Sequence, residues 1–432
     1  MPPLLAPLAN TQARERRPIT TPTPPAKPSA DQILDAAAHG AFAFFWNESH
    51  PVTGLTKDRA KNTQSSDDYT IASVASTGYA LAALPVGVER GWVPRREAEE
   101  RALLTLRYLR DRLPHEHGFH YHFIDWATGE RAWNCELSSI DTSLMVLGAL
   151  AAGQYFKGEA RAIADALYAR MDWRWMQNRG PGDPPDTFVK MGWRPEEGFL
   201  KGPGWHRYDE ASYLYLLALG APKHDLPGTV WDCWQVGEGT LEGFPVFTPI
   251  GPLFFAQMTP GYFDLRGRKD RKGRDFWKNF ENSHRGNHAY CKRRADLYPR
   301  HREPLWGITA CDHPPTAPKS ERSYGADDPV DGKNDGTIAP TGALSGLPFV
   351  PELAKATALD LFEHYRDRLW GRYGFSNALN VKKDWYDSDV IGIDLGMMLL
   401  CVENARTGLL WKLMASHPMT EKAYKAAGLR KV

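Results

Sequence analysis

The sequence predicts an all-α fold: one large helical domain of the (α/α)-barrel kind, with long loops and a short β-hairpin. Three observations carry this. Apolar residues recur at helical spacing in segment after segment, no Gly/Ser-rich or charged linker divides residues 31–432, and irregular stretches too long for simple connections separate the helices. A chain of 432 residues with 42% hydrophobic content can bury a large core in a single unit of this kind.

Residues 1 to about 30, rich in Pro, Thr and Ala, are expected to form a disordered or loosely attached arm. From Asp31 the pattern turns helical, with Ile33, Leu34, Ala37, Ala41, Phe44 and Phe45 recurring at helical spacing up to Trp46. A polar loop over 51–68 follows, then a helix through 71–84 and a third from about Arg95 to Arg112, ended by Leu113-Pro114. Residues 118–126 read as a β-hairpin with Ala127-Thr128-Gly129 as its turn. Helices resume at about 138–156, 158–177 and 209–219. The stretch 222–275 is rich in Gly, Pro and aromatics and is expected to be mostly loop. Helices return near 276–298, 340–346, 351–368 and 390–404. Small-residue runs such as Ala80-Leu-Ala-Ala83 and Leu147-Gly-Ala-Leu-Ala-Ala152 let helices approach closely.

Composition narrows the function. Fifty-three basic residues against 52 acidic leave a net charge of +1, which recruits neither nucleic acid nor an anionic membrane. Five cysteines without a CxxC pair argue against a disulfide framework or a zinc site. His115, His117, His120 and His122 look like a metal cluster, and strand alternation puts His120 and His122 on one face. No acid or Cys stands at a metal-like spacing from them, so no metal is expected. No apolar run is long enough to cross a bilayer. The N-terminus has no basic segment and is broken by proline, which makes a poor export signal; periplasmic and cytoplasmic locations both stay open. Fifteen Trp and 17 Tyr suit a protein that stacks carbohydrate rings, although a thick aromatic core would use them too.

The most informative stretch is Arg131-Ala-Trp-Asn-Cys-Glu-Leu-Ser-Ser-Ile-Asp141, where a polar loop turns into a long apolar helix. Trp133, Asn134, Glu136 and Asp141 converge on one helix start, a mixture suited to sugar: acids and amides for hydroxyls, a ring for C–H faces. The plainer reading is a capping device, with Ser138 or Ser139 closing the helix and the acids answering its dipole. Glu210 stands in a second polar-aromatic loop, Gly204-Trp-His-Arg-Tyr-Asp-Glu210, ahead of another apolar helix. Asp209 can cap that helix, which leaves Glu210 without a structural task. Asp394 lies inside the apolar run Val390-Ile-Gly-Ile-Asp-Leu-Gly396, where a lone acid is costly unless paired or used. Salt bridges or hydrogen-bond networks are the structural alternatives for both. Asp335 reads as a turn residue, and Asp387 and Asp389 as substrate or supporting groups, unless Asp389 only caps the last helix.

A series of blocks then becomes familiar: Phe44-Phe-Trp-Asn47 with Gly54-Leu-Thr-Lys-Asp-Arg59; Ser73-Val-Ala-Ser-Thr-Gly-Tyr-Ala-Leu81 with Gly87-Val-Glu-Arg-Gly-Trp92; Trp133-Asn-Cys-Glu-Leu-Ser-Ser-Ile-Asp141; Trp306-Gly-Ile-Thr-Ala-Cys-Asp312; Ile391-Gly-Ile-Asp-Leu-Gly396 with Glu403-Asn-Ala-Arg-Thr-Gly408. In this order, over nearly all of residues 31–415, they resemble the glucoamylase-like domain of glycoside hydrolase family 144 and of cyclic β-1,2-glucan synthases. The resemblance implies an (α/α)6 barrel acting on β-1,2-glucan (sophoran) with no metal or organic cofactor. It further implies an inverting hydrolase, endo-acting or sophorose-releasing. On the matching positions Glu210 resembles the general acid, and Asp394 is the choice for the base; the related fungal enzymes relay the proton through a substrate hydroxyl, so a base here is allowed to sit farther from the scissile carbon than the usual inverting spacing. Glu136 and Asp141 then bind the glucose at the cleavage point with Arg59 and Trp133, Asp387 is a further sugar ligand, and Trp193, Trp205, Tyr208, Trp306 and Trp385 are stacking candidates. The synthase-linked relatives retain configuration and transfer glucan, and in that case Glu136 is the candidate nucleophile. A glucan-binding protein without catalysis is the third alternative. The chain departs from the family pattern at Arg266-Gly-Arg-Lys-Asp-Arg-Lys-Gly-Arg274 and at residues 314–323, loops expected to rim the cleft.

Overall fold

The structure is a computed structural model that describes residues 17–64, 68–180, 187–248, 251–315 and 323–432. Helix α1 (Ala30–Asn47) starts at a capping box: Ser29 Oγ accepts from the Gln32 N–H (3.2 Å) and Gln32 Oε1 from the Ser29 N–H (2.8 Å), so two orphan donors are satisfied at once. Helix α2 (Val74–Glu89) starts three residues later than the periodicity suggests, because Ile71–Ser73 is drawn into a strand against Phe123–Asp125. It also runs through Pro85 instead of stopping before it. Helix α3 (Arg95–Asp111) and α4 (Ser139–Phe156) match expectation. The expected helix over 158–177 is two: α5 (Gly158–Ala169) and a single turn, α6 (Trp173–Met176), restarted by Asp172, whose side chain accepts from the Trp175 N–H at 3.0 Å.

Five helices follow: α7 (Ser212–Gly220), α8 (Thr229–Cys233), α9 (Met258–Tyr262), α10 (Phe276–Arg293) and α11 (Pro340–Leu344). The chain then forms α12 (Pro351–Leu369), α13 (Gly392–Arg406), α14 (Leu409–Ala415) and α15 (Pro418–Ala427). The last two lie beyond the expected helices. They are short, and Gly408 in a left-handed conformation separates α13 from α14.

Packing places some helices inside others. α2, α4, α7, α9 and α13 form a closed circuit, each against the next and α13 back against α2, with α11 alongside α13. Around them, α1 covers α2 and α13, α3 covers α2 and α5, α5 covers α4, α12 covers α1 and α11, and α15 covers α7. α4 is buried on every side except at Tyr155, as a helix without a polar face requires. Its backbone nearly touches that of α2: a Cβ on Gly148 would lie 1.8 Å from the Gly78 carbonyl oxygen. The small residues are what let the two helices meet.

The strands are more numerous than one hairpin. His115–Glu116, Phe119–Tyr121, Leu137–Ser138, Gly192–Arg194 and Gly198–Phe199 pair in that order as one five-stranded sheet. The expected hairpin over 118–126 is therefore split. Phe119–Tyr121 belongs to the larger sheet, while Phe123–Asp125 pairs with Ile71–Ser73 and bridges Ile124 to Arg131 across the Ala127–Gly129 turn. Loops crossing the mouth of a helical barrel have backbone groups to satisfy and find them in one another. Arg59–Lys61 pairs antiparallel with Asp389–Ile391, so early and late segments meet beside α13. Of the N-terminal stretch, residues 1–16 lie outside the described residues. Ile19 is tied to α1 by reciprocal bonds with the Asn47 side chain, both 2.9 Å.

Candidate active site

A cavity of about 1040 Å³ opens where the N-terminal ends of α4, α9 and α13 and the loop ahead of α7 converge. The positive ends of these helix dipoles face it, a setting that suits carboxyl groups and sugar oxygens. Ser138 caps α4: its Oγ accepts from the Asp141 N–H (3.2 Å) and donates to Asp141 Oδ2 (2.5 Å), which fixes Asp141 in the cleft wall.

Glu210 lies just ahead of α7, open to the cleft on one side and deep in the protein on the others. Burial, reinforced by the charges of Asp209 and Asp141 and only partly opposed by His122, pushes its carboxyl well above the ordinary range. Among the described residues it makes no ion pair. Asp209 caps the following turn, accepting from the Ala211 N–H at 2.8 Å, and burial raises it to about 7. Asp394 occupies the first turn of α13 and is 4% exposed. Its Oδ2 accepts from Asn377 Nδ2 at 2.6 Å; burial, with Asp312 and Asp58 nearby, still lifts it to about 7. Both acids thus retain a proton to higher pH than an ordinary carboxyl.

Arg59 donates to Asp312 from both terminal nitrogens (2.8 and 3.4 Å), with Asp58 at 3.5 Å and Asp389 at 3.8 Å. Asp312 stands on the strand Ala310–His313, paired with Ser323–Ala326. On this hairpin Ala310, Asp312, Tyr324 and Ala326 line the cleft, two directly opposed pairs on one face. The far wall carries Trp385, Tyr386 and Asp387. Trp133, 63% exposed, stands at the rim on a left-handed pair of residues (φ 54° and, at Asn134, 50°) and leans on Phe123.

The structure therefore brings Arg59, Trp133, Asp141, Glu210, Trp385, Asp387 and Asp394 to one cleft. Glu136 sits behind that surface, joined to His122 Nδ1 at 3.1 Å. Its Cβ and Cγ occupy the space that a side chain at Gly192 would need. Four of the stacking candidates lie elsewhere. Trp306 is fully buried and donates to Thr357 Oγ1 (2.8 Å); Trp205 donates to Ser139 Oγ (2.9 Å); Tyr208 accepts from Asn279 Nδ2 (2.8 Å). Trp193 is half-buried on a sheet strand, against Trp175. Each has its polar atom or its ring face committed to the core, which answers why the aromatic excess alone could not separate stacking platforms from packing. Asp58, Asp312, Tyr324 and His122 are among the cleft residues to which the sequence assigns no part in sugar binding or catalysis. Asp58 and Asp312 stand at the ends of familiar blocks, so the signal was present; His122 was weighed only as a metal ligand.

Among the described residues one group has metal-like spacing: His313, Asp327 and Asp335, whose ligand atoms lie within 4.8 Å of one another. Asp335 is already held by Lys383 Nζ (2.7 Å) and by Thr337, as a turn residue would be.

The family model for Glycoamylase, described as "Putative glucoamylase", matches residues 203–418. A curated relative is 27% identical over 433 residues: the exo beta-1,2-glucooligosaccharide sophorohydrolase (non-reducing end) of Parabacteroides distasonis. The match covers 91% of this chain, which spans 57% of that relative's length. Among solved structures, the endo-beta-1,2-glucanase of Chitinophaga pinensis, in complex with sophorotriose and glucose, superposes with a TM-score of 0.82 at 27% identity. That match covers 94% of this chain and 99% of the other. The beta-1,2-glucanase of Parabacteroides distasonis also has a TM-score of 0.82, over 93% of this chain and 60% of its own; at 24% identity that likeness is one of fold.

Proposed function

The chain belongs to the glucoamylase-like family, and we propose that within it this protein is a glycoside hydrolase that cleaves β-1,2-glucan with inversion, internally or by releasing sophorose. One observation carries the reading: Glu210 and Asp394 line the same cleft, are both pushed above the ordinary carboxyl range, and among the described residues neither is paired with a cation. The names of the relatives support the substrate class.

In the proposed reaction Glu210 gives its proton to the glycosidic oxygen as the C1–O bond breaks. A water oxygen bonds to C1 from the opposite face, and its proton passes to Asp394, directly or through a sugar hydroxyl. With its carboxyl pushed up to about 7, Asp394 is partly ionised at neutral pH and can accept the proton, and Glu210, pushed well above the ordinary range by burial, keeps its proton to higher pH than an ordinary carboxyl. Asp141, Arg59, Trp133, Trp385 and Asp387 bind the sugars, with Glu136 in support. No metal or cofactor enters this scheme. Glu136 as the nucleophile of a retaining transglycosylase fits less well, since it stands behind His122 with Arg194 at 4.0 Å and is not on the cleft surface. We read the closed helix circuit as the inner ring of an (α/α)6 barrel and residues 31–432 as a single catalytic domain.

Purified protein incubated with linear β-1,2-glucan tests this, with products followed by chromatography and anomeric NMR. Short sophoro-oligosaccharides appearing first as α-anomers are expected. β-Anomers or elongated products would transfer the central role to Glu136, and an unchanged substrate would overturn the hydrolase reading.

A further inference from the structure

His122 is held more completely than any task assigned so far requires. Its N–H donates to the Glu136 carbonyl (3.0 Å) and its carbonyl accepts from Val74 N–H, the first residue of α2 (3.1 Å). The ring lies flat on Phe123, with centroids 3.8 Å apart. Nδ1 faces Glu136 Oε1 at 3.1 Å, and Nε2 faces Asp141 Oδ2 at 3.5 Å. A neutral imidazole has one N–H and one lone pair, and a lone pair aimed at a carboxylate is repelled; only the cation, with two N–H groups, suits both contacts.

The groups around it have the same bearing. Glu136 and Asp141 flank the start of α4, Asp58 precedes the strand Arg59–Lys61, and Glu210 precedes α7; Arg194 is the nearby cation, beyond Glu136. Burial alone would depress the imidazole, but the Asp141 charge, the Glu136 hydrogen bond and Asp58 outweigh it, so the ring is pushed up to about 9. Glu136 is in turn held below its ordinary range, burial notwithstanding, by its bond to His122.

We propose that His122 is a positioning residue of the reaction: clamped between Glu136 and Asp141, its imidazolium is held from behind by Glu136 and fixes Asp141 in the cleft wall as the carboxylate that grips the sugar at the cleavage point. It thereby leaves Glu210, which it does not touch, as the proton donor on that wall. The division of labour among three neighbouring acids then follows from geometry. Asp141 shares the cation with Glu136 and binds; Glu210 makes no contact with it and reacts. This inference rests on the hydrolase reading for its kinetic consequence but not for its charge state.

The two can be tested apart. In the full-length protein labelled with ¹⁵N-histidine, the His122 ring is expected to stay protonated through pH 8, and Glu136→Gln is expected to lower its midpoint by about one unit or more. A midpoint near the ordinary value of about 6.5, unmoved by Glu136→Gln, would overturn the proposal whatever the activity. On β-1,2-glucan, His122→Gln is expected to lose roughly 10- to 100-fold in kcat/KM, as misplacement of binding groups does. Its acid limb should move up by about one pH unit, because Glu136 loses the donor that keeps it ionised. Added imidazole should restore part of the rate to His122→Ala. An equal loss at every pH with no rescue would assign His122 a purely structural task. A wild-type protein inert towards the glucan would instead sink the hydrolase reading, and the NMR titration would still decide the imidazolium.

Discussion

Two buried acids on one helix have opposite circumstances. Asp394 and Glu403, at the two ends of α13, are 4% and 2% exposed. They stand about 13 Å apart along the axis at ~1.5 Å per residue. Glu403, at the C-terminal end where the dipole opposes a negative charge, is met by Arg90 (Nε and Nη2 both 2.7 Å from Oε2) and by the Thr407 hydroxyl (2.5 Å). Asp394, at the favourable end, receives one hydrogen bond from Asn377, and the nearby Arg59 is turned to Asp312. Burial is common to both, so burial does not set apart the acid proposed to react. What differs is missing compensation, and it occurs on the side where the helix starts face the cleft.

The largest effect expected from this contrast is at Glu210. Glu210→Gln should lower turnover by about 10²- to 10⁴-fold, the range for a lost general acid, while thermal unfolding stays where it was or rises. A melting point that fell with the activity would return Glu210 to the structural acids. Asp394→Asn sharpens the contrast through pH. Because the folded-state pKa of Asp394 is raised to about 7, the folded form holds this proton more tightly than the unfolded chain does. Its stabilising effect is therefore complete below about pH 4 and is lost as pH rises towards 7. The Asn variant should be inactive yet lack that decline, as denaturant titrations at several pH values would reveal. Arg90→Met breaks the other end: Glu403 is left buried and unpaired, at a cost of about 3 kcal/mol. Activity per folded molecule should persist, and a selective loss of kcat would erase the distinction between the two ends. Smallest, Trp133→Ala at the exposed rim should raise KM by roughly three- to tenfold with kcat and melting point nearly unchanged, consistent with one lost ring contact.

Much of this was legible in the sequence because it depends on local pattern. The long helices announce themselves by apolar spacing, Glu210 stands out because Asp209 beside it can cap the helix, and Asp394 because it lies inside an apolar run. The Gly78–Gly148 approach was foreshadowed by runs of small residues. Less legible was whatever depends on partners distant in the chain. Ile71–Ser73 reads as helix by periodicity and becomes strand because Phe123–Asp125 lies beside it. Trp306 and Trp385 are both stacking candidates by residue type, yet one is sealed against α12 and the other lines the cleft. Asp312 gives no local sign of its bond to Arg59, 253 positions away. His122 was visible, but its two carboxylates meet it only when the strand and the start of α4 are side by side.

The pairing of Arg59–Lys61 with Asp389–Ile391 has a consequence for how the protein comes to exist. The cleft floor joins segments more than 300 residues apart, so no local folding event can form it. A ribosome must have delivered Ile391 before Arg59 can take up its place opposite. Until then the helices made earlier expose the apolar flank that α13 will cover, a surface for which chaperones compete. Competence for chemistry would thus be among the last properties to appear during biogenesis, and the recovery of activity after dilution from denaturant should lag behind the recovery of helical signal.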